Sequence, residues 1–432
     1  MRLDRAPDAG RAVPSGHRAA LEVFRAFLAL GLSAFGGPIA HLGYFRHEFV
    51  QRRRWLDEAR YAELVALGQF LPGPASSQVG FAIGLERAGW RGGLAAWLGF
   101  TLPSAVALVL FARGLAYFDP AAPVPAAALH ALKIVAVAVV AQALVSMARA
   151  LCPDLERRAL ALLAAAVVLV RPEADAQLVA LVACALAGVA VLRDGVGVVS
   201  TTLGAAASDG RPAPSFSPRA VSPRAGASAA LLFTVLLIAL PWAAAMTGKA
   251  WIALWAAFYR AGALVFGGGH VVLPLLQAGV VEPGWIDAPA FVAGYGAAQA
   301  VPGPLFTFAA YLGSVIGAGG PALLDPAAWG WAALCVLAIF LPGMLVLIAA
   351  LPWWSSMGAR PPLRRAIAGV NAGVVGVLAA AWLDPVATSA VHGPVDALFA
   401  AALFALLVGL RWPPWAVVAA ALLAGVLRAL VA

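Results

Sequence analysis

Apolar runs long enough to cross a bilayer recur from about Leu21 to the end of the chain, each closed by charges, Pro or Gly. They lie near 20–43, 61–85, 92–118, 127–150, 158–171 and 176–192, and then near 229–247, 251–277, 290–318, 329–351, 365–383, 395–411 and 414–430. A helix needs about 20 such residues to span a membrane, so the pattern predicts an all-α, polytopic integral membrane protein. Several runs are broken by Gly and Pro and are poor candidates for simple spans. Residues 1–19 form a polar tail with Arg2, Arg5, Arg11 and Arg18, and no apolar signal core precedes the first run. Residues 193–228, rich in Ser, Pro, Gly and Arg, read as a flexible linker between two membrane repeats, 20–192 and 229–432.

The second repeat carries the motifs of the first in the same order. Phe35-Gly36-Gly37-Pro38, Trp55-Leu56-Asp57, Gln69, Pro72-Gly73-Pro74 and Leu102-Pro103 are matched by Phe266-Gly267-Gly268-Gly269, Trp285-Ile286-Asp287, Gln299, Pro302-Gly303-Pro304 and Leu341-Pro342. The offsets are 231, 230, 230, 230 and 239, which makes an internal duplication the natural reading. Before Trp55 stand Arg52, Arg53 and Arg54, whereas the matching turn reads Glu282-Pro283-Gly284. Because positively charged loops stay in the cytoplasm, the two turns are expected on opposite sides of the membrane, which makes the halves inverted-topology repeats. An odd number of crossings per half would produce that inversion, and Arg211, Arg219 and Arg224 suggest a cytoplasmic linker.

Composition sharpens this picture. Of 432 residues, 63% are hydrophobic and only 29 are Lys or Arg and 20 Asp or Glu, which excludes a soluble globular enzyme. The net charge of +9 does not imply a nucleic-acid partner, because in a membrane protein the distribution over loops carries the information. Cys152, Cys184 and Cys335 are isolated in or beside apolar stretches and read as packing residues. No metal-ligand spacing, paired acids, HExxH, GxSxG or Walker motif occurs in a suitable context, and no catalytic residue, metal or cofactor is expected.

Matched breaks in two inverted repeats are the sequence pointer to a transporter's central site. Pro lacks the helical donor and restricts the residue before it, so Pro72-Gly73-Pro74 and Pro302-Gly303-Pro304 should each end one half-helix and start another. Open backbone at membrane depth is tolerated only inside protein or beside a wet cavity. Half-helices starting after Pro74 and Pro304 would aim N–H groups and positive dipole ends into that cavity, which suits an anion. Gly36, Gly37, Gly267 and Gly268 mark the second pair of breaks. The plainer reading, that Gly and Pro only kink helices or allow close packing, does not account for two matched sets.

Ionisable residues inside apolar runs are further candidates. Arg260 precedes the Phe266-Gly267-Gly268 break by six residues, about 9 Å along a helix, and could pair with an oxyanion or snorkel towards Trp251 and Trp255. Lys133 shares a helix face with His130, and Arg25 reads as interfacial. Asn371 occupies roughly the place corresponding to Lys133. Gln69 and Gln299 precede each Pro-Gly-Pro triplet by three residues and could donate to a ligand or cap freed carbonyls. His270 could couple protons near neutral pH or sit neutral in the packing.

At the Phe-Gly-Gly, Arg-Arg-Trp and Pro-Gly-Pro motifs and their second-half partners, the sequence resembles the chromate transporter family, in its long form with two homologous domains. The resemblance covers nearly all the chain outside the tail and linker. It implies a multi-pass carrier in the bacterial inner (plasma) membrane that exports chromate and confers chromate resistance, with halves of opposite orientation and no enzymatic activity. Sulfate, another tetrahedral dianion, is the competing substrate, and a general inorganic-anion carrier is the alternative function. A membrane-embedded chromate reductase is disfavoured by the missing redox motifs. The candidate partners are chromate, sulfate, the lipid bilayer and a second copy of the chain in a homodimer. Two departures from the family pattern stand out: Ala29 where a Lys is common before the first break, and His270, Gln277 and Gly279 where an aromatic and acids are common after the second.

Overall fold

The computed structural model describes residues 17–119, 122–171, 174–192, 221–319, 322–354 and 360–431. The tail up to residue 16 and linker residues 193–220 lie outside the described residues. Among those described there is helix and no strand, and five helices are long and apolar enough to cross a membrane. The protein is a multi-pass, all-α membrane protein.

In the first half, α1 (His17–Ser33) runs inward to the Phe35-Gly36-Gly37 break, and α2 (Gly37–Phe45) with the π-helical turn Arg46–Arg52 runs back. Arg53 of that turn lies 3.7 Å from Glu22 near the start of α1, so the run at 20–43 is a hairpin that returns to its own end. The next run is also a hairpin. α3 (Glu58–Phe70) reaches Pro72-Gly73-Pro74, and α4 (Ala75–Leu115) turns back from it. Arg60 then pairs with Glu86, and Arg87 with Glu22 at 3.1 Å. At Ala88 and Gly89 the backbone leaves helical geometry, and the remainder of α4 crosses the molecule. It is followed by α5 (Pro123–Leu151), α6 (Leu155–Val170) and α7 (Ala174–Val191).

The second half repeats this order with one helix added in front. α8 (Pro223–Thr247), which begins inside the segment expected to be linker, precedes α9 (Ala250–Leu264), α10 (Val272–Val280) and α11 (Ala288–Ala298). Then come α12 (Phe308–Ile316), α13 (Pro326–Ala350), α14 (Pro361–Ala381), α15 (Pro394–Val408) and α16 (Pro414–Val431). The Trp-x-Asp motif has the same local cause in both halves. Asp57 accepts from the Arg60 N–H at 2.7 Å and Asp287 from the Ala290 N–H at 2.6 Å, capping the helix that leads to each Pro-Gly-Pro.

Without a hydrophobic drive between helices in lipid, close backbone approach supplies the packing. Gly31 of α1 sits on the Gly99 and Phe100 carbonyls of α4, and its counterpart Gly262 of α9 sits on the Ile339 carbonyl of α13. The halves also exchange helices. α5 packs among α11, α15 and α16 of the second half, while α14 packs among α6 and α7 of the first. The core is therefore shared, and the inner breaks of both halves meet in it.

Candidate substrate site

A cavity of about 400 Å³ lies where the four breaks meet. It is lined by Gly36, Gly37, Gln69 and Gly73 of the first half and by Gly267, Gly268, His270, Gln299, Gly303 and Asn371 of the second. The duplicated motifs, 230 residues apart in sequence, thus form one site.

The breaks are locked to each other across the halves. The Gly73 N–H donates to the Val265 carbonyl at 2.7 Å, and the Gly303 N–H donates to the Ala34 carbonyl at 2.9 Å. Each Pro-Gly-Pro glycine therefore caps the chain just before the other half's Phe-Gly-Gly. Both glycines have positive φ, +118° and +100°, a region that a Cβ makes costly. Space is also denied to a side chain. A Cβ on Gly73 would lie 2.8 Å from the Gly343 Cα, and one on Gly303 would lie 2.8 Å from Ser104 Oγ. Gly343 and Ser104 are themselves the residues that follow the two Leu-Pro motifs.

Four helical segments begin at the cavity wall: α2 at Gly37, α4 at Ala75, and the single 3-10 turns Gly269–Val271 and Leu305–Thr307 that lead into α10 and α12. None has a side chain capping its first turn. The first N–H groups of such starts have no intrahelical partner. Among the described residues lining the cavity none is Asp, Glu, Lys or Arg. The prolines of the triplets do not line it; they shape it from behind. Pro74 and Pro304 are the residues from which the half-helices start, and the Pro72 carbonyl accepts from Gln78 Nε2 at 2.9 Å. Pro302 likewise stands outside the lining.

Arg260 and Lys133 are absent from the lining. Arg260 is half-buried on α9, with no hydrogen-bond or ion-pair partner among the described residues. Lys133, half-buried on α5, lies in the electrostatic reach of Asp287 and Asp396 and one turn from His130. That cluster is apart from the cavity because α5 meets the breaks only with its later turns. His270 does reach the cavity, where its Nδ1 pairs with the Tyr295 hydroxyl at 2.7 Å. The buried Asn371 Oδ1, an acceptor, has no hydrogen-bond partner among the described residues.

Sequence reasoning missed the face of α5 formed by Val139, Gln142, Ala143, Ser146 and Met147, which also lines the cavity. The signal was present: Gln142 and Ser146, at i and i+4, are polar residues on one face of an apolar helix. It also missed His41, fully buried on α2, with Nε2 3.2 Å from the Ala34 carbonyl and Nδ1 3.4 Å from Ser76 Oγ.

The family model described as Chromate transporter matches residues 21–189 and 252–426, one match in each half. The chromate transport protein of Pseudomonas aeruginosa is 28% identical over 382 residues, covering 84% of this chain and 80% of its own length. A probable chromate transport protein of Synechococcus elongatus is 27% identical, with 82% and 81% covered, and the chromate transport protein of Cupriavidus metallidurans is 27% identical, with 82% and 80% covered. No solved structure matches. With both halves matched and the paired breaks gathered on one cavity, the chain belongs to the chromate transporter family.

Proposed function

We propose that this protein is a secondary carrier that exports chromate across the bacterial inner membrane and so confers chromate resistance. The observation that carries the reading is the convergence of four uncapped helix starts, two from each half, on one cavity without charged side chains. The N-terminus of an α-helix carries a partial positive charge, so several helix starts gathered on one cavity complement a tetrahedral dianion. Backbone donors at Gly37, Ala75, Gly269 and Leu305 would ligate its oxygens, with Gln69, Gln142, Gln299 and Asn371 supplying amide donors. A site of dipoles holds the anion while leaving no fixed countercharge to trap it, as a carrier that must also release requires.

We further infer that the halves are inverted repeats. The support is the reciprocal pair of hydrogen bonds at Gly73 and Gly303 and the place of α8. On this reading each half holds two hairpins and four crossings, an even number, and α8 supplies the inversion that an odd count per half would otherwise supply. The arginine-rich end at Arg46, Arg52, Arg53 and Arg54 is the cytoplasmic one. Alternating access then consists of one half rocking on the other about the shared breaks.

A general sulfate or inorganic-anion carrier is the second reading, favoured by the generic character of the backbone donors. Radiolabelled chromate flux into proteoliposomes of purified protein, with and without a pH gradient and with excess sulfate, separates the two. Saturable chromate flux that resists sulfate is expected, and its gradient dependence identifies proton coupling. Flux abolished by sulfate establishes the general carrier. No flux of either anion overturns both.

A further inference from the structure

At the end of the molecule remote from the arginine-rich turn, three side chains meet that the substrate site does not use. His130 comes from α5 of the first half. His392 and Asp396 come from the link into α15 of the second half and its first turn. His130 Nε2 lies 2.9 Å from Asp396 Oδ1. The His392 main-chain N–H donates to Asp396 Oδ2 at 3.0 Å, which fixes the carboxylate. The two imidazoles stack with centroids 5.6 Å apart and planes 23° apart. One ligand atom from each of the three residues lies within 4.8 Å of the others.

We propose that His130, His392 and Asp396 form a site for a divalent transition metal of the zinc class, joining the two halves at this end. A simple His–Asp hydrogen bond accounts for His130 and Asp396 but leaves His392 Nδ1 at 3.9 Å from Asp396 Oδ2, beyond hydrogen-bond distance. Two imidazoles over one carboxylate are a donor set for Zn²⁺, Ni²⁺ or Cu²⁺, whereas Mg²⁺ and Ca²⁺ take all-oxygen sets. Three protein ligands leave a position for water, as in open zinc sites, and His392 is well exposed, which gives an entry path. The hydrogen bond to Asp396 from the His392 backbone supplies second-shell support of the kind metal carboxylates receive. Lys133 stands one turn from His130 and opposes a cation, but it is shared between Asp396 and Asp287, so acidic charge outweighs it locally. The ligands are separated by 262 residues or more between His130 and the other two, so no sequence spacing reveals them.

Zinc titrated into the full-length protein in detergent, followed by calorimetry and X-ray absorption, tests the site. One zinc per chain with two imidazole ligands and no sulfur is expected. His392→Gln, which leaves the His130–Asp396 hydrogen bond in place, and Asp396→Asn should each weaken binding by at least about tenfold. His47→Gln, an exposed histidine of the arginine-rich turn, should leave it unchanged. Wild-type protein that takes up no zinc, or His392→Gln and Asp396→Asn variants that bind it as the wild type does, would overturn the proposal.

Discussion

Around Gly73 in the first half and Gly303 in the second, the main chain does the same things. Each glycine has positive φ, gives its N–H to a carbonyl of the other half and rests against the residue after the other half's Leu-Pro. The side chains around them differ. In the first half Gln78 is fully buried and donates through Nε2 to the Pro72 and Gly343 carbonyls, both at 2.9 Å, and His41, Ser76 and Ser77 are buried nearby. The corresponding residues of the second half are Phe308, Val272, Phe306 and Thr307. The turn before the capping Asp shows the same division. Trp55 and Trp285 donate their N–H groups to Phe49 and Val280 at 2.7 and 2.9 Å, and the residue before each has positive φ, Arg54 at +53° and Gly284 at +78°.

The first half surrounds its turn with charge. Glu48 is gripped by Arg52 at 2.9 Å and Arg53 at 2.5 Å, Arg46 forks onto Glu58, and Arg53 and Arg87 lie over the Trp55 ring. Backbone geometry is thus duplicated at the paired glycines, while the side chains around it differ between the halves.

The sharpest way to break the comparison is to place a Cβ at the shared glycines. Gly73→Ala should abolish chromate transport, because the methyl meets the Gly343 backbone at 2.8 Å and adds left-handed strain of about 1–2 kcal/mol. Gly303→Ala should impair transport less, since its nearest obstacle, Ser104 Oγ, is a side-chain atom that can rotate away. Vesicle uptake normalised to membrane abundance checks both. Gln78→Leu, which makes the first half more like the second, strands two carbonyls and should cost about 1–3 kcal/mol of stability, read as a lower melting temperature in detergent. Asn371→Leu removes a cavity amide and should raise the chromate KM by roughly tenfold, the worth of one hydrogen bond to a charged group, with normal protein abundance.

A smaller effect concerns pH. Burial raises the Glu48 carboxyl, but the hydrogen bonds and charges of Arg53 and Arg52 outweigh it and hold the group below the usual carboxylate range. A carboxyl depressed in the folded state stabilises above its unfolded value and loses that contribution as pH falls through the folded one. Melting temperature should therefore fall on acidification in the wild type, and Glu48→Gln should flatten that dependence. The smallest effect is expected of Arg54→Gly, which copies the second half's turn and relieves left-handed strain. A gain of up to about 1 kcal/mol is expected, together with a weakened topological signal, visible as mixed orientation in a protease-accessibility assay.

Much of this arrangement is legible in the sequence because Pro and Gly act locally. The breaks at Phe35-Gly36-Gly37 and Pro72-Gly73-Pro74, their duplicates, and the capping roles of Asp57 and Asp287 follow from what those residues do to their own backbone. What requires three dimensions stays hidden. Runs 20–43 and 61–85 have the length of spans, and the ion pairs of Glu22 with Arg53 and Arg87 and of Arg60 with Glu86 show that they fold back. Arg260 and Lys133 attract notice as charges in apolar runs, yet the cavity faces Gln142 and Ser146 of α5, because helix rotation is fixed by tertiary packing, that of α5 on the other half and that of α9 on α8, α10 and α13 of its own. His130 acquires its partners from residues 392 and 396 for the same reason.

The most direct test of a single site built by both halves is chromate flux through proteoliposomes containing wild-type, Gly73→Ala or Gly303→Ala protein at matched incorporation. Either substitution alone is expected to lower saturable flux, because each glycine holds the opposite half's break in place. Wild-type flux through either correctly incorporated variant would contradict it.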